Sequence, residues 1–226
     1  MSATGSSVIA GIDYGHLPRG RHGIPRQEVL ANQRERMLGA TAASFAEQGY
    51  ASLSISTVTA RAGVSRSTFY KLFDDKLDCV LAAQRRAFEA LGQTIAWACA
   101  AEQDWPRGVA RALGAALAFA ARFPGEARLV LASNQVASEP ALARHGLAVH
   151  ERLLELLREG ARRHPGARSP QDLSEQAALG AALSIVASFL AAEEFEALAE
   201  RQADLLEILL APYLGAEQAK RVALAA

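Results

Sequence analysis

Cysteine is scarce in this chain, and its two copies cannot pair with each other. Cys79 and Cys99 stand twenty residues apart on what the sequence predicts to be one helix, a separation of roughly 30 Å at about 1.5 Å per residue. A disulfide requires α-carbons within about 7 Å. The sequence therefore excludes an intrachain disulfide, predicts buried thiols and favours a reducing, cytoplasmic location.

The residue patterns of common enzyme classes are also missing. No glycine-rich phosphate loop follows a predicted strand, and no serine, histidine and acid can be singled out as a triad. His145 and His150 are five residues apart, so they diverge on a helix, where ligands four apart would converge on a metal. We therefore expect no enzyme activity, no metal and no cofactor.

An apolar signal core is absent from the N-terminus, and the longest uncharged run is short. Alanine is the commonest residue of that run, residues 176–192, which also includes Ser184 and Ser188. It falls short of the ~20 apolar residues that a membrane span needs. We predict a buried helix here and no membrane partner.

Hydrophobic residues make up 50% of the 226 positions, enough for a large core. The net charge of zero hides an asymmetry. Residues 19–76 contain nine Arg or Lys against five Asp or Glu, whereas residues 77–226 contain fifteen against eighteen. A basic N-terminal quarter on an acidic body is typical of proteins that dock on DNA by one end.

Residues 55–73 have the pattern of a helix-turn-helix. Val58 lies on the apolar edge of a short helix, which Gly63 can end with a positive φ. Ser65 can cap a second helix, and Phe69 returns to the core. The spacing therefore predicts two short helices with a tight turn between them.

The outward face of the second helix is rich in hydrogen-bond donors. It carries no acidic residue before Asp74, which suits an element that approaches phosphates and base edges. A helical hairpin with a glycine turn produces the same pattern without binding DNA, so the residues alone leave both interpretations open. The donors are Arg66, Ser67, Thr68, Tyr70 and Lys71.

The longer string GYASLSISTVTARAGVSRSTFYKLFDDK, residues 49–76, closely resembles the DNA-binding region of the TetR family of bacterial transcriptional repressors. Nearly every position of the family's pattern is filled, from the opening Gly-Tyr through Ala-Gly-Val-Ser to the final Lys. Two positions depart from it. Leu53 stands where a Thr is common and Leu72 where a His or Tyr is frequent, and each change removes a candidate phosphate contact.

The resemblance implies a role for each matching residue. It assigns Arg66, Ser67 and Lys71 to the base edges, Thr68, Tyr70 and Lys76 mainly to the DNA backbone, and Ser54, with Ser56 or Thr57, to phosphate contacts. For this last group, simple helix capping is the alternative. Ahead of this region, Arg19 and Arg21 can follow a narrow minor groove; the alternative is a solvated linker with generic attraction to DNA.

The fold class expected is all-α. Residues 1–24 form a flexible basic arm, residues 25–75 an N-terminal three-helix helix-turn-helix domain, and residues 76–226 a C-terminal helical ligand-binding and dimerisation bundle. Within the bundle we predict helices over residues 76–102, 139–164, 172–192 and 199–214. A further helix is expected to begin at residues 104–106 and to end at residues 123–125, and a short one follows it to about residue 135.

The last two predicted helices are expected to form a homodimer interface. The penultimate helix is apolar around most of its circumference, more than one protomer's core requires. The resemblance implies a four-helix bundle with a twofold mate, and an ordinary monomeric core is the alternative. The interface residues are Leu183, Val186, Leu190, Leu205, Leu206, Leu209, Leu210 and Tyr213.

The resemblance further implies a small-molecule effector that binds the bundle and releases DNA. The candidate pocket residues, for each of which a role in the core is the favoured alternative, are Phe88, Trp97, Trp105, Phe119, Asn134, Gln135, His145 and Phe189. Their apolar character favours a hydrophobic or aromatic effector. The sequence thus predicts a dimeric repressor of a near-palindromic DNA operator; the alternative is a helix-turn-helix protein without an effector.

Overall fold

The computed structural model describes residues 8–9, 12–13, 25–131, 139–170 and 172–225. Two short strands, β1 (Val8–Ile9) and β2 (Ile12–Asp13), pair antiparallel. Every other regular element in the described ranges is a helix, so the all-α prediction is confirmed. Apart from the two strands, the predicted arm lies outside the described residues.

The chain forms two compact units that divide between Ala90 and Leu91. The first unit contains α1 (Arg26–Ser52), α2 (Ile55–Ala62), α3 (Arg66–Leu72) and the beginning of α4 (Lys76–Cys99). The division therefore falls inside α4, fifteen residues after the domain boundary predicted at residue 75. The predicted boundary between the DNA-binding and ligand-binding domains therefore remains a prediction.

Local signals set the ends of the helices in the first unit. Gly49 interrupts α1 with a φ of 71°, and Ser54 caps α2 by accepting from the Thr57 N–H. Gly63 ends α2 with a φ of 60°, a left-handed conformation in which a Cβ would be strained. Ser65 then caps α3. The predicted caps and the glycine turn are confirmed.

The core of the first unit is built where these helices meet. Its large side chains come from each of the four helices, so that α2 and α3 rest on α1 and α4. Burying each of them stabilises the fold by about 1.5–3 kcal/mol. They are Met37, Leu38, Phe45, Val58, Phe69, Phe73 and Val80.

The second unit is a bundle that begins in the latter part of α4. Asp104 caps the next helix by accepting from the Arg107 N–H, and Pro106 lies in its first turn, where a missing N–H costs little. The helices are α5 (Trp105–Arg122), α6 (Pro124–Leu131), α7 (Pro140–Arg163), α8 (Asp172–Ala192), α9 (Phe195–Glu200), α10 (Gln202–Leu214) and α11 (Ala216–Ala225).

The C-terminal end differs from the sequence prediction. The single helix expected over residues 199–214 is two helices, α9 and α10, which meet at Arg201. Gly215 then turns the chain with a φ of 79°, and α11, which was not predicted, packs along α10. Ala219 and Ala223 of α11 share a buried cluster with Leu210. The helix α11 therefore covers a side of α10 that the sequence pattern left open.

The helix α8 is apolar yet largely accessible. Residues Leu173–Ala192 have a mean hydropathy of 1.5, and 22% of this segment is buried within the chain. By length and composition alone such a helix can cross a membrane, which is weak evidence because core helices of soluble proteins pass the same test. The predicted burial of this helix is therefore not achieved within one copy of the chain.

Candidate nucleic-acid interface

The outer side of α3 consists of exposed hydrogen-bond donors. Arg66, Ser67 and Lys71 are exposed, and Tyr70 keeps 54% of its surface accessible. At 3.6 residues per turn these four positions fall on one side of the helix. A surface of guanidinium, ammonium and hydroxyl groups without a carboxylate suits phosphate oxygens and the acceptor edges of bases.

Aromatic packing holds the opposite side of α3. Phe69 is fully buried and Phe73 nearly so, with their ring centroids 5.4 Å apart. The Tyr70 ring meets Phe69 edge-on at 5.5 Å, and the Arg34 guanidinium lies 5.6 Å from the centroid of Phe73. Because these rings fix α3 from behind, Arg66 and its neighbours are presented from a rigid support.

Two serines hold the beginnings of α2 and α3. Ser54 Oγ accepts from the Thr57 N–H at 3.1 Å and lies 2.8 Å from the Thr57 hydroxyl. Ser65 Oγ accepts from the Thr68 N–H at 3.1 Å and lies 2.9 Å from the hydroxyl of Ser67. The capping role of Ser54 is confirmed. Phosphate contacts by Ser54, Thr57, Ser67 and Thr68 remain predictions.

Two other cationic side chains of the first unit are bonded to groups within that unit. The Arg36 guanidinium donates to the carbonyl of Ala62, the last residue of α2, and burial lowers the pKa of Arg36. Arg61 donates to the carboxylate of Glu47 at 2.6 Å, and this bond lowers the pKa of Glu47. Fewer cationic side chains of the first unit are therefore free to contact a phosphate directly than the sequence suggests.

Lys76 has a contact that the sequence did not indicate. Its Nζ donates to the Tyr50 carbonyl at 3.0 Å and lies 4.1 Å from the centroid of the Tyr50 ring. The side chain is half-buried. The predicted phosphate contact of Lys76 therefore competes with a partner inside the chain.

The buried thiol predicted at Cys79 is confirmed. Cys79 is 1% exposed, and its Sγ lies 3.3 Å from the Thr41 hydroxyl. Burial raises the pKa of the thiol to about 11. This cysteine therefore stays protonated at neutral pH and serves the core behind α2 and α3.

The sequence around this donor-rich helix matches a known family. Residues 37–83 match the profile described as bacterial regulatory proteins, tetR family. Residues 37–83 form a TetR-type domain. The match begins inside α1 and ends inside α4, so the TetR-type domain contains α2, α3 and the whole outer side of α3. It leaves out Arg19 and Arg21, which lie outside the described residues.

Solved structures share the TetR-type fold over most of the chain. The fatty acid degradation regulator FadR from Bacillus halodurans has a TM-score of 0.68 and 19% identity, with 79% of this chain and 94% of that chain covered. The SmeT–triclosan complex has a TM-score of 0.64 and 21% identity, covering 80% and 91%. A gamma-butyrolactone receptor has a TM-score of 0.59 and 16% identity, covering 88% and 100%. No curated protein matches the chain in sequence.

The predicted effector-pocket residues do not share one environment. Trp97 is 89% exposed, Phe119 is buried with its ring centroid 5.2 Å from that of Phe123, and Phe189 packs at the edge of a buried leucine cluster. Phe88 belongs to the first compact unit. Asn134, Gln135 and the His145 side chain lie outside the described parts. The exposed Trp97 lines no interior space here, and the pocket remains a prediction.

The second unit contains a buried polar network that sequence reasoning missed. Glu175 of α8 is 3% exposed and binds the guanidinium of Arg158 from α7. Its other oxygen accepts from the Tyr213 hydroxyl of α10 at 2.8 Å. Burial, together with this bond and the Glu175 charge, raises the pKa of Tyr213. The available signal was an acidic residue immediately before an uncharged run.

Trp105 packs beside this network and does not face an open pocket. Its ring meets Tyr213 edge-on with centroids 5.4 Å apart and lies 5.8 Å from the His164 ring. Gly160 of α7 leaves the space for the indole, because a Cβ there would lie 2.1 Å from the indole Cδ1. The close approach of α5 and α7 therefore depends on a glycine at this position.

Most of the predicted dimer-interface residues face their own chain's core. Leu183 and Val186 of α8 are half-buried, but six others are at most 8% exposed and have little surface to offer a partner. The physical reason is the cover supplied by α11 and the neighbouring helices, which the sequence prediction lacked. The six are Leu190, Leu205, Leu206, Leu209, Leu210 and Tyr213.

Proposed function

We propose that the protein is a cytoplasmic transcriptional repressor that binds a near-palindromic operator as a homodimer. The observation that supports this best is the outer side of α3, where Arg66 and Lys71 are exposed and no carboxylate intervenes. Arg66 lies in the first turn, the part of a recognition helix that enters the major groove, and its planar fork matches the two acceptors of a guanine.

A gel-shift titration on the promoter region beside the protein's own gene tests DNA binding. We expect retardation of a palindrome-bearing fragment at low salt. Arg66→Ala should weaken binding to that fragment by about 1–3 kcal/mol, whereas Arg221→Ala, which removes an exposed arginine from α11, should leave it unchanged. Failure to retard any such fragment at low salt would overturn the proposal.

The predicted arm is part of this proposal. With Arg36, Arg61 and Lys76 bonded inside the first unit, Arg19 and Arg21 contribute a larger share of the positive charge available to DNA. Replacing both by alanine should lower the salt slope of binding by about two. An unchanged slope would make the segment a linker without a role in DNA binding.

We place the dimer contact on α8, because that helix keeps an exposed stripe of small residues. The stripe repeats at spacings of four and three, so it runs straight along the helix and allows a second helix to approach closely. A twofold dimer would bury it against its own copy. The stripe consists of Ala177, Ala181, Ser184, Ser188 and Ala191.

Light scattering coupled to gel filtration tests the dimer. We expect twice the chain mass of 24.0 kDa. Ser184→Arg should give a monomer, because a long charged side chain separates the two copies of α8. Ala148→Arg, at an exposed position of α7, is the matched control and should remain dimeric. A monomeric wild type would contradict the proposal.

The effector we propose is a hydrophobic or aromatic molecule that binds the helical unit. The SmeT structure holds triclosan, so triclosan is a reasonable first probe in the gel-shift assay. The scattered environments of Trp97 and Phe119 favour a second candidate, a DNA-binding protein without an effector. Retardation that no apolar ligand reverses would support that second candidate.

A further inference from the structure

The side chain of Lys76 contacts the C-terminal end of α1. Its ammonium group donates to the Tyr50 carbonyl at 3.0 Å, a normal length for a charge-assisted bond. The same Nζ is 4.1 Å from the centroid of the Tyr50 ring, well inside the range of about 6 Å for a cation–π contact. One residue therefore provides both a carbonyl oxygen and a ring face for this cation.

The Tyr50 carbonyl lies in the last turn of α1. Gly49 breaks the regular geometry of α1, and the helix ends at Ser52. Carbonyls in the last turn of a helix have no intrahelical partner, and cations are favourable there. Lys76 therefore binds a carbonyl oxygen at the negative end of α1.

The surroundings of Lys76 are poor for a phosphate. Asp75 Oδ1 accepts from the Asp78 N–H at 2.8 Å, and Asp78 Oδ2 accepts from the Asp74 N–H at 3.2 Å. These carboxylates already occupy the positive end of α4. Asp74, Asp75 and Asp78 all lie within two residues of Lys76 along the chain, and Asp74 and Asp75 are exposed.

We propose that Lys76 is a positioning residue for the helix-turn-helix and does not contact a phosphate. Tyr50 and Lys76 bracket α2 and α3, so their bond ties the two ends of the DNA-binding motif together. The tie holds α3 at the angle at which Arg66 and Lys71 reach the DNA together. This inference rests on the proposed function, because its consequence for DNA requires that α3 reads an operator.

The salt dependence of binding distinguishes the two roles. Lys76→Met keeps the aliphatic length and removes the charge and the donor, and Lys71→Met does the same at an exposed position of α3. Affinity for the retarded promoter fragment and for an unrelated duplex of equal length is measured between about 50 and 200 mM NaCl. A cation that neutralises one phosphate contributes about one to the slope of log K against log salt.

We expect Lys76→Met to keep the wild-type slope while its preference for the promoter fragment over the unrelated duplex falls about tenfold. Lys71→Met should lower the slope by about one. A Lys76→Met slope lowered by about one would overturn the proposal in favour of a phosphate contact. An unchanged preference would overturn it as well, because the bond would then have no effect on α3.

A measurement without DNA keeps the inference testable apart from the proposed function. Losing a bond to a charged group should lower the melting temperature of Lys76→Met by roughly 3–12 °C, whereas Lys71→Met should melt like the wild type. If both variants melt like the wild type, the tie does not hold the motif and the proposal fails. A wild type that melts normally but binds no promoter DNA would instead count against the proposed function.

Discussion

Removing the carboxylate of Glu175 is expected to destabilise the helical unit far more than removing an exposed one. Glu175→Ala leaves the buried Tyr213 hydroxyl and the Arg158 guanidinium without their shared partner. Breaking a buried ion pair typically costs about 3–5 kcal/mol. The Arg158 side chain is 37% exposed and regains some hydration, so we expect about 2–4 kcal/mol.

Thermal unfolding followed by circular dichroism measures this loss. For a chain of this length each kcal/mol shifts the melting temperature by roughly 2–4 °C, so Glu175→Ala should melt roughly 4–16 °C below the wild type. The matched control is Glu155→Ala, which breaks the exposed pair with Arg152. Such surface pairs contribute about 0–1 kcal/mol, so this variant should stay close to the wild type.

A double-mutant cycle separates the two bonds of Glu175. Tyr213→Phe deletes only the hydroxyl and should cost about 1–2 kcal/mol. Combined with Glu175→Ala it should add little, because the hydroxyl has already lost its acceptor, giving a coupling energy of about 1–2 kcal/mol. Equal melting temperatures for Glu175→Ala and Glu155→Ala, or additive effects in the cycle, would refute the reasoning.

Three further outcomes follow from the DNA-binding unit. Arg66→Ala should cost about 1–3 kcal/mol on the cognate site and relax one base position; uniform weakening across mutated operators, measured by competition gel shift, would contradict a base contact. Gly63→Ala should destabilise the unit by about 1 kcal/mol because its φ is 60°, while Gly63→Asn should cost less in the same urea titration. Since the pKa of Cys79 is raised to about 11 in the fold, above about 8.5 when unfolded, its stabilising contribution is complete below pH ~8.5 and is lost as the pH rises toward 11. Urea titrations of wild type and Cys79→Ala should therefore converge over that range, and parallel curves would exclude the linkage.

The elements that sequence reasoning predicted are those set by neighbours along the chain. Ser54, Gly63 and Ser65 define the turn and the caps within a few residues of themselves, and the structure has each of them as expected. Phe69 and Phe73 follow from helical spacing alone. For such features, the residue and the neighbours that determine its conformation lie within a few positions of each other along the chain.

The contacts that escaped prediction join distant parts of the chain. Lys76 meets Tyr50 across 26 residues, and Tyr213 meets Glu175 across 38. Neither pair has a periodic signal, because a single long-range bond leaves no pattern in composition or spacing. The leucines of α10 were assigned to a dimer for a related reason: helices of the same chain cover them, and for Leu206 and Leu210 this cover includes α11, whose position depends on the turn at Gly215.

The two tryptophans lie in different environments, so their fluorescence can report on changes in the helical unit. Trp97 is accessible to water over 89% of its surface, whereas Trp105 is wedged against Gly160, Tyr213 and His164. Trp97 should emit at longer wavelength and be quenched readily by iodide, while Trp105 should emit at shorter wavelength and be protected. A change in Trp105 fluorescence would then report any loosening of the packing beside Gly160. A change in Trp97 fluorescence would report a partner or ligand that covers α4.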